Sequence, residues 1–364
     1  MAVSVETITA ALATVIDPEL RAPITELDMV DRIEVSPSVV SVSVVLTIVG
    51  CPAAQAIERD VRQALELAAP GREIDLSMGV MSPERREGLI TRLRSSSTTR
   101  RAFTPDSLTR VIAVTSGKGG VGKSSVTINL AAAVAQQGFR VGVIDADVFG
   151  FSIPGLVGLQ GVTPTRLDDM ILPPVAFDMK ILSIGMFLEK DQAVAWRGPL
   201  LHRTLEQFLT EAYFGDLDFL FLDLPPGTGD IAISVGQLLP HAEIIVVTTP
   251  QKSAADVAWR SGDVARQTGQ KVLGVIENMS ATTLADGTVL DVFGSGGGQE
   301  TASRLGVPLM GHVPLSPALR EAGDAGTPLV LSSPDSPAAR EIQSLASAII
   351  RGGESRAGKN LPFA

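Results

Sequence analysis

Eight consecutive residues, Gly117–Ser124, read GKGGVGKS and satisfy the pattern G-x-x-x-x-G-K-[ST]. They follow the apolar run VIAVTS and precede a helix-forming stretch, which is the context in which such a loop binds phosphate. Glycines allow backbone N–H groups to close around phosphate oxygens, and the helix start adds a favourable dipole. Lys123 is expected to neutralise the β- and γ-phosphates, and the Ser124 hydroxyl to be a ligand of Mg²⁺. The predicted nucleotide contacts in this phosphate loop and just after it are Gly117, Lys118, Gly119, Gly120, Val121, Gly122, Lys123, Ser124 and Ser125.

Carboxylates stand at the ends of two apolar runs that follow the phosphate loop. The run 141–145 ends in Asp145 and is followed closely by Asp147, and the run FLFLD ends at Asp223. At the carboxyl end of a buried strand, Asp223 is placed to hold Mg²⁺ through water. The segment PPGTGD after it is conformationally tight and suits a loop that moves when the γ-phosphate leaves. Asp145 either supports Asp147 or only caps its strand, and the sequence leaves both alternatives open.

Asn278 ends another predicted strand, in the sequence IENMS. An amide side chain at that place is suited to reading the edge of a purine base. No aspartate follows at the spacing that guanine-specific sites use, which favours ATP over GTP. The alternative is an asparagine that only makes a turn.

The elements that must position these residues alternate between strands and helices from Arg110 onward. Runs such as FLFLDL and IIVVTT are apolar on both faces, as in strands buried within a parallel sheet. The pattern predicts an α/β fold with a doubly wound, mostly parallel sheet, whose ligand lies at the carboxyl ends of the strands. The predicted strands are 111–115, 141–145, 219–224, 244–248 and 271–276, and the predicted helices are 124–137, 200–213 and 254–268.

The pattern divides the chain into four segments. Residues 1–82 alternate between helix and strand and predict a small α/β domain. Residues 83–108 are rich in Ser, Thr and Arg and predict a linker, which is either a solvated tether or a binder of an acidic partner. Residues 109–352 form the predicted P-loop NTPase domain, and residues 353–364 a polar tail.

Composition and charge argue against several kinds of partner. The net charge is −10, whereas binding to nucleic acid or to an anionic membrane surface depends on clustered Lys and Arg. No apolar run approaches the roughly 20 residues that cross a bilayer. The first twenty residues have no basic start and contain Glu6 and Asp17, unlike a signal peptide. A single cysteine, Cys51, fits a reducing compartment. We therefore expect a cytoplasmic protein without nucleic-acid or membrane partners.

Lys118 is a second lysine within the phosphate loop. With it, the loop resembles the deviant Walker A class, the superfamily of MinD, ParA and the nitrogenase iron protein. The resemblance implies a homodimer that encloses ATP at the subunit interface, with Lys118 reaching the nucleotide of the opposing subunit. It also places Asp147 in the first switch, where it positions the attacking water or a metal-bound water. The predicted catalytic residues are therefore Lys118, Lys123 and Asp147, and the predicted Mg²⁺ ligands are Ser124, Asp147 and Asp223.

Three further segments resemble the Mrp/ApbC family of iron–sulfur cluster carrier ATPases, across about residues 105–350. They are WRGP before a helix (196–199), DLPPGTGD, and IENMS followed by FGSGGG. The N-terminal segment, with IDPEL and the sequence Gly50-Cys51-Pro52, is similar to the small metal–sulfur assembly domain that often precedes these ATPases. The resemblance implies an ATP-gated homodimer that hydrolyses ATP slowly and carries or helps assemble iron–sulfur clusters. Its partners would be apo iron–sulfur proteins or assembly factors.

One departure from the family pattern concerns the cluster ligands. Typical members have a C-x-x-C pair between ENMS and FGxGGG, and two subunits bridge a cluster with four thiolates. Here the stretch reads ATTLADGTVLDV, so a dimer offers only the two copies of Cys51. His202, His241 and His312 are isolated in sequence and are interpreted as structural. The alternative function is therefore a nucleotide-switched scaffold or regulatory ATPase that holds no cluster.

Cys51 lies at a predicted strand-to-helix turn. Because a helix N-terminus lowers the pKa of a thiol, Cys51 is a candidate persulfide acceptor or labile metal ligand. The alternative is a small buried apolar residue. The sequence leaves both open.

Overall fold

The chain divides into two compact units, which are described separately. The smaller unit comprises Met1–Arg100, Thr165–Pro173 and Glu211–Gly215, and the larger unit comprises the remainder. The structure is a computed structural model, and it describes residues 3–51, 53–96, 103–104, 107–148, 150–188, 198–284 and 286–352. The predicted tail, residues 353–364, lies outside the described residues, as do Trp196 and Arg197 of the WRGP segment.

The elements of the first hundred residues are, in chain order, α1 (Val5–Leu12), β1 (Val30–Val35), β2 (Val39–Leu46), α2 (Ala54–Ala68), β3 (Glu73–Val80) and α3 (Pro83–Ser96). The elements that follow are β4 (Arg110–Ser116), α4 (Lys123–Ala135), β5 (Val141–Asp145), α5 (Ile153–Leu156), β6 (Thr165–Leu167), β7 (Met170–Leu172), β8 (Val175–Ala176), β9 (Met179–Ser183), the 3₁₀ turn Ile184–Phe187, α6 (Gly198–Glu211), β10 (Phe219–Asp223), α7 (Asp230–Leu238), β11 (Glu243–Thr248), α8 (Lys252–Gln267), β12 (Lys271–Ser280), β13 (Thr282–Thr283), β14 (Val289–Leu290), α9 (Gly297–Leu305), β15 (Leu309–Pro314), α10 (Pro317–Asp324), α11 (Leu329–Ser332) and α12 (Pro337–Arg351).

The smaller unit is built around a three-stranded sheet in the order β1-β2-β3. β1 runs antiparallel to β2, and β3 runs parallel to it. The apolar residues of α2 recur every four positions, and Ile57, Val61 and Leu65 are fully buried. This spacing places them on one face of the helix, which packs into the core of the unit.

Later parts of the chain complete that core. The antiparallel ribbon β6–β7 contributes Leu167, Met170 and Leu172, and the segment after α6 contributes Tyr213. Leu167 and Leu172 are 0% exposed and belong to the same apolar cluster as the residues of α2. The core of the smaller unit is therefore discontinuous in sequence.

The predicted linker is wrong for Pro83–Ser96, which form the helix α3. Leu89, Ile90 and Leu93 lie on one side of α3 and are buried in the core of the smaller unit. Arg85 of the same helix pairs with two aspartates, at 2.9 Å and 2.6 Å. The richness in Arg, Ser and Thr hid an apolar spacing of i, i+1 and i+4 that is typical of an amphipathic helix. The rest of the predicted linker falls largely outside the described residues.

We expect Leu167→Ala to destabilise the smaller unit by about 2–5 kcal/mol, because it removes a fully buried leucine side chain. Hydrogen exchange of the β2 amides reports the free energy of opening of this unit alone. Leu67→Ala is the matched control, since Leu67 lies on α2 with 77% of its surface exposed. Unchanged protection of β2 in Leu167→Ala would contradict the shared core.

The larger unit contains an eight-stranded sheet in the order β15-β12-β11-β4-β10-β5-β9-β8. All neighbouring strands are parallel except β8, which pairs antiparallel with β9. On one face α4 packs with α5, α11 and α12, and on the other α8 packs with α7 and α9. The predicted doubly wound, mostly parallel α/β fold is confirmed. None of the described helices has the length and apolar character that a bilayer crossing requires.

Candidate functional site

The phosphate loop connects β4 to α4 at the point where the strand order reverses. From β4 the chain first builds β5, β9 and β10 on one side, and from β11 onward it builds on the other. In an open α/β sheet, a crevice forms outside the carboxyl ends of the strands at this reversal. The fold thus places the loop where such sheets bind their ligands.

The loop backbone depends on glycine at specific positions. Gly120 and Gly122 have φ of +80° and +78°, in the left-handed region that side chains with a Cβ rarely adopt. A Cβ on Gly117 would lie 2.3 Å from the backbone nitrogen of Ala258, so the loop touches α8 directly. Substitution at these positions would distort the cradle of backbone N–H groups.

A cavity of about 370 Å³ opens over the loop. It is lined by the phosphate loop, the segment after β5 and the segment after β10, that is, by Ser116, residues 118–125, Asp147, Gly150, Ser152 and Pro226. The predicted loop contacts 118–125 and Asp147 are thus brought together around one space. Asp223 and Asn278 are buried and do not belong to this lining.

Lys123 is at the centre of a buried charged cluster. Its Nζ lies 2.6 Å from Oδ2 of Asp223 and 3.6 Å from Oδ2 of Asp147. The Ser124 hydroxyl donates to the same Asp223 oxygen at 2.5 Å, and Thr127 donates to the other at 2.8 Å. An ammonium group beside hydroxyl and carboxylate oxygens is a donor set that fits a magnesium-bound phosphate chain. The assignment of Ser124, Asp147 and Asp223 as Mg²⁺ ligands stays a prediction.

Asp145 is fully buried next to Asp223, its partner in the register of β5 and β10. Burial and then the negative charge of Asp223 raise the pKa of Asp145 to about 8. Its carboxyl oxygens accept hydrogen bonds from the backbone of Asp147 at 3.1 Å and from the Ser183 hydroxyl at 3.0 Å. These contacts with backbone N–H groups after β5 fit both alternatives from the sequence, support of Asp147 and capping of the strand end.

Lys118 lines the cavity, and its Nζ donates to Oε1 of Gln251 at 3.0 Å. Gln251 lies directly before α8 in the same chain. The predicted action of Lys118 on an opposing subunit stays a prediction.

Asn278 is 2% exposed, and its side-chain nitrogen donates to the carbonyl oxygen of Val121 at 2.8 Å. The same nitrogen occupies the space that a Cβ on Gly122 would need, at 2.3 Å. Asn278 therefore supports the phosphate loop from behind. Its predicted contact with a purine base stays a prediction.

Comparison with known proteins decides the family. Residues 107–350 match the family described as ParA, NUBPL iron-transfer P-loop NTPase, and residues 5–75 match the family described as iron–sulfur cluster assembly protein. The iron–sulfur cluster carrier protein of Mycobacterium tuberculosis (strain ATCC 25618 / H37Rv) is 52% identical over 365 residues, which cover 97% of this chain and 95% of that protein. The chain belongs to the iron–sulfur cluster carrier family of P-loop NTPases.

Other members of this family and a solved structure agree. The iron–sulfur cluster carrier protein of Bacillus subtilis (strain 168) is 41% identical over 303 residues, covering 82% of this chain and 84% of that protein. A nucleotide-binding protein from Archaeoglobus fulgidus, solved in complex with ADP, matches with a TM-score of 0.53 and 36% identity, covering 60% of this chain and 86% of that one. The resemblance to the Mrp/ApbC carriers is confirmed.

The stretch between ENMS and FGSGGG forms the ribbon β13–β14, which carries no thiol. Several aliphatic side chains on and beside this ribbon are exposed, namely Leu284, Val289, Leu290 and Val292. Within the described ranges, His, Cys, Asp and Glu do not form any group of three or more that could hold a metal ion. His312 instead contacts Oε1 of Glu277 at 2.9 Å, and that buried carboxylate also accepts from the backbone of Gly298.

Cys51 is buried in the smaller unit, where its Sγ lies 3.9 Å from Oε2 of Glu19. Burial and then the charge of Glu19 raise the pKa of Cys51 to about 11. Of the two alternatives from the sequence, the one in which a helix start lowers this pKa is therefore contradicted. Backbone hydrogen bonds from Ala53 and Ala54 do lower the pKa, but burial and the nearby carboxylates outweigh them. The role of Cys51 as a thiol site stays a prediction.

At pH 8 we expect Cys51 of the folded protein to react with iodoacetamide about a hundredfold more slowly than an exposed thiol, because only the thiolate attacks. The rate should keep rising up to about pH 11. Glu19→Gln removes one cause of the raised pKa and should speed the reaction. Folding raises the pKa of the Cys51 thiol, so the thiol is neutral in both the folded and the unfolded protein below about pH 9. Its contribution to the free energy of unfolding therefore falls only as the pH rises from about 9 towards 11. If Cys51 of the folded protein reacted with iodoacetamide at pH 8 as fast as in the urea-unfolded chain, the raised pKa of Cys51 would be contradicted.

Sequence reasoning missed two residues of the site. Thr127 lies one helical turn after Lys123, and its hydroxyl also bonds the Lys123 carbonyl at 2.9 Å. A hydroxyl residue four positions after the loop lysine is a signal that could have identified it. Gln251 is separated from Lys118 by 133 residues, and no local pattern links them.

Proposed function

We propose that the protein binds Mg·ATP in the phosphate loop and hydrolyses it slowly to ADP and phosphate. The observation that carries this proposal is the buried contact of Lys123, which lines the loop cavity, with Asp223, to which the Ser124 hydroxyl also donates. A positive side chain, a hydroxyl and a carboxylate at the start of a helix are suited to bind a triphosphate and its metal ion. The family membership and the ADP-bound structure of the Archaeoglobus relative support it.

The residues have separate tasks in this reaction. Lys123 neutralises the β- and γ-phosphates, and Ser124 and Asp223 would hold Mg²⁺, which when bound would supply positive charge to the phosphate oxygens. Asp147 orients the attacking water, while Asp145 fixes the backbone from which Asp147 projects. The segment after β10, whose Pro226 lines the cavity, changes conformation when the phosphate leaves.

We further propose that two copies of the chain enclose the nucleotides, with each Lys118 reaching the phosphates bound by its partner. The second lysine of the loop and its place in the cavity lining support this arrangement. Sedimentation with Mg²⁺ and a nonhydrolysable ATP analogue tests it, and a dimer that forms only with nucleotide is the expected result. Lys118→Ala should weaken this dimer while leaving binding to one chain largely intact.

The cargo that we propose is an iron–sulfur cluster, delivered to apo iron–sulfur proteins or assembly factors under the control of ATP. The names of the curated relatives, which are iron–sulfur cluster carrier proteins at up to 52% identity, support it. With a single cysteine in each chain, a cluster would need ligands from Cys51 together with external thiols or a partner protein.

The second candidate is a nucleotide-switched scaffold that holds no cluster. It is favoured by the ribbon β13–β14, which lacks thiols, and by the buried, weakly acidic thiol of Cys51. Anaerobic reconstitution of the parent and of Cys51→Ser, with and without an apo iron–sulfur protein, separates the two functions. Stoichiometric iron and sulfide that pass to the acceptor support the carrier. Absence of iron in every arm supports the scaffold.

A further inference from the structure

The first half of the phosphate loop rests on α8. The Ser261 hydroxyl of α8 donates to the carbonyl oxygen of Ser116 at 3.1 Å. Gly117 approaches the backbone of Val257 and Ala258 so closely that it leaves no room for a Cβ. The backbone that carries Lys118 is therefore held against this helix, and the Lys118 side chain projects from a fixed base.

The ammonium group of Lys118 contacts Gln251, the residue directly before α8. Its Nζ donates to Oε1 of Gln251 at 3.0 Å in a part-buried position. The chain directly before Gln251 is also held in place, because the Pro250 carbonyl accepts a hydrogen bond from the N–H of Gly297 at 3.0 Å. The Gln251 side chain makes no capping hydrogen bond to α8, so its amide oxygen is not required by the helix. The amide oxygen of Gln251 is therefore available to accept the hydrogen bond that positions Lys118.

We propose that Gln251 is a positioning residue that retains Lys118 within its own subunit and thereby opposes nucleotide-dependent dimerisation. The proposal rests on the homodimer described under the proposed function. To reach a phosphate in the partner, Lys118 exchanges the neutral amide oxygen for charged oxygens, and the amide loses its ammonium donor. A neutral acceptor holds an ammonium group less strongly than a carboxylate does, so the contact restrains the lysine and still permits release.

Two substitutions at this position should act in opposite directions. Gln251→Ala removes the acceptor and should lower the dissociation constant of the dimer about fivefold, the effect of one modest hydrogen bond. Gln251→Glu converts the contact into an ion pair and should raise that constant. Gln267→Ala is the matched control, since Gln267 is the last residue of α8 and bonds only the exposed side chain of Asp263 among the contacts described. Sedimentation velocity with Mg²⁺ and a nonhydrolysable ATP analogue gives the constants.

The Lys118→Ala background identifies the source of any change. There, Gln251→Ala and Gln251→Glu should have no effect on the dimer, because the retained group is missing. Binding of a fluorescent ADP analogue to one chain should be equal in the parent, Gln251→Ala, Gln251→Glu and Gln267→Ala, which shows that the loop is folded in these variants. A parent that stays monomeric with the analogue overturns the homodimer itself. A parent that dimerises while Gln251→Ala leaves the constant unchanged, or raises it, overturns the role of Gln251 alone.

Discussion

The Lys123→Ala variant is expected to lose Mg·ATP affinity by at least about a hundredfold, because one buried ammonium group faces both the phosphate site and two carboxylates. Its Nζ lies 2.6 Å from Asp223, and the side chain is 6% exposed. Without it, the negative charges of Asp147 and Asp223 repel the triphosphate. Titration calorimetry measures the loss. Lys252→Ala, at the exposed start of α8, is the matched control and should bind like the parent.

The same substitution leaves buried carboxylates uncompensated, so folding must be measured beside binding. Lys123→Arg is the second variant, because it keeps the positive charge but its planar guanidinium does not match the geometry of an ammonium group in the loop. We expect Lys123→Arg to unfold closer to the parent temperature than Lys123→Ala does, and still to bind poorly. Binding by Lys123→Ala within a few-fold of the parent would contradict the assignment of this lysine to the phosphates.

The Asp147→Asn variant is expected to hydrolyse ATP at least about a hundredfold more slowly than the parent while binding it at least as tightly. The amide keeps an oxygen for the N–H of Gly150, which bonds Oδ1 of Asp147 at 3.1 Å. The substitution removes the negative charge that we propose orients the attacking water, and it also removes a repulsion on the bound phosphates. Phosphate release under saturating ATP and calorimetry measure the two quantities separately.

Asp286→Asn provides the comparison for Asp147→Asn, since Asp286 is exposed in the turn after β13. Its hydrolysis rate should equal that of the parent. If Asp147→Asn lost hydrolysis and binding together, the residue would serve the ground state of the complex and not the chemical step. If it hydrolysed ATP like the parent, another group would orient the water.

The sheet of the larger unit was predictable because its signals are local. Runs such as 219–222 are apolar at every position, and they proved to lie in strands buried on both faces. The phosphate loop was predictable for the same reason, since its glycines and lysine lie within eight consecutive residues. The smaller unit was predicted less well. Its core depends on Leu167 and Tyr213, which lie far along the chain, and no periodicity within 1–100 indicates them.

Charge and burial explain the remaining differences between the predictions from sequence and the structure. The helix α3 was mistaken for a linker because its polar composition hid the apolar positions around Leu89. The alternative in which the pKa of Cys51 falls failed because the sequence shows the helix start but neither the burial of the thiol nor the carboxylate of Glu19, 32 residues away in the chain. The contact of Lys118 with Gln251 was missed because it joins two loops that only the sheet brings together.

Titration calorimetry of the parent protein with Mg·ATP tests the central claim most directly. The charged cluster around Lys123 predicts saturable binding of one nucleotide per chain, with affinity that falls when EDTA removes the metal. Absence of any saturable heat with properly folded protein would contradict the account, and with it every role given to the phosphate loop.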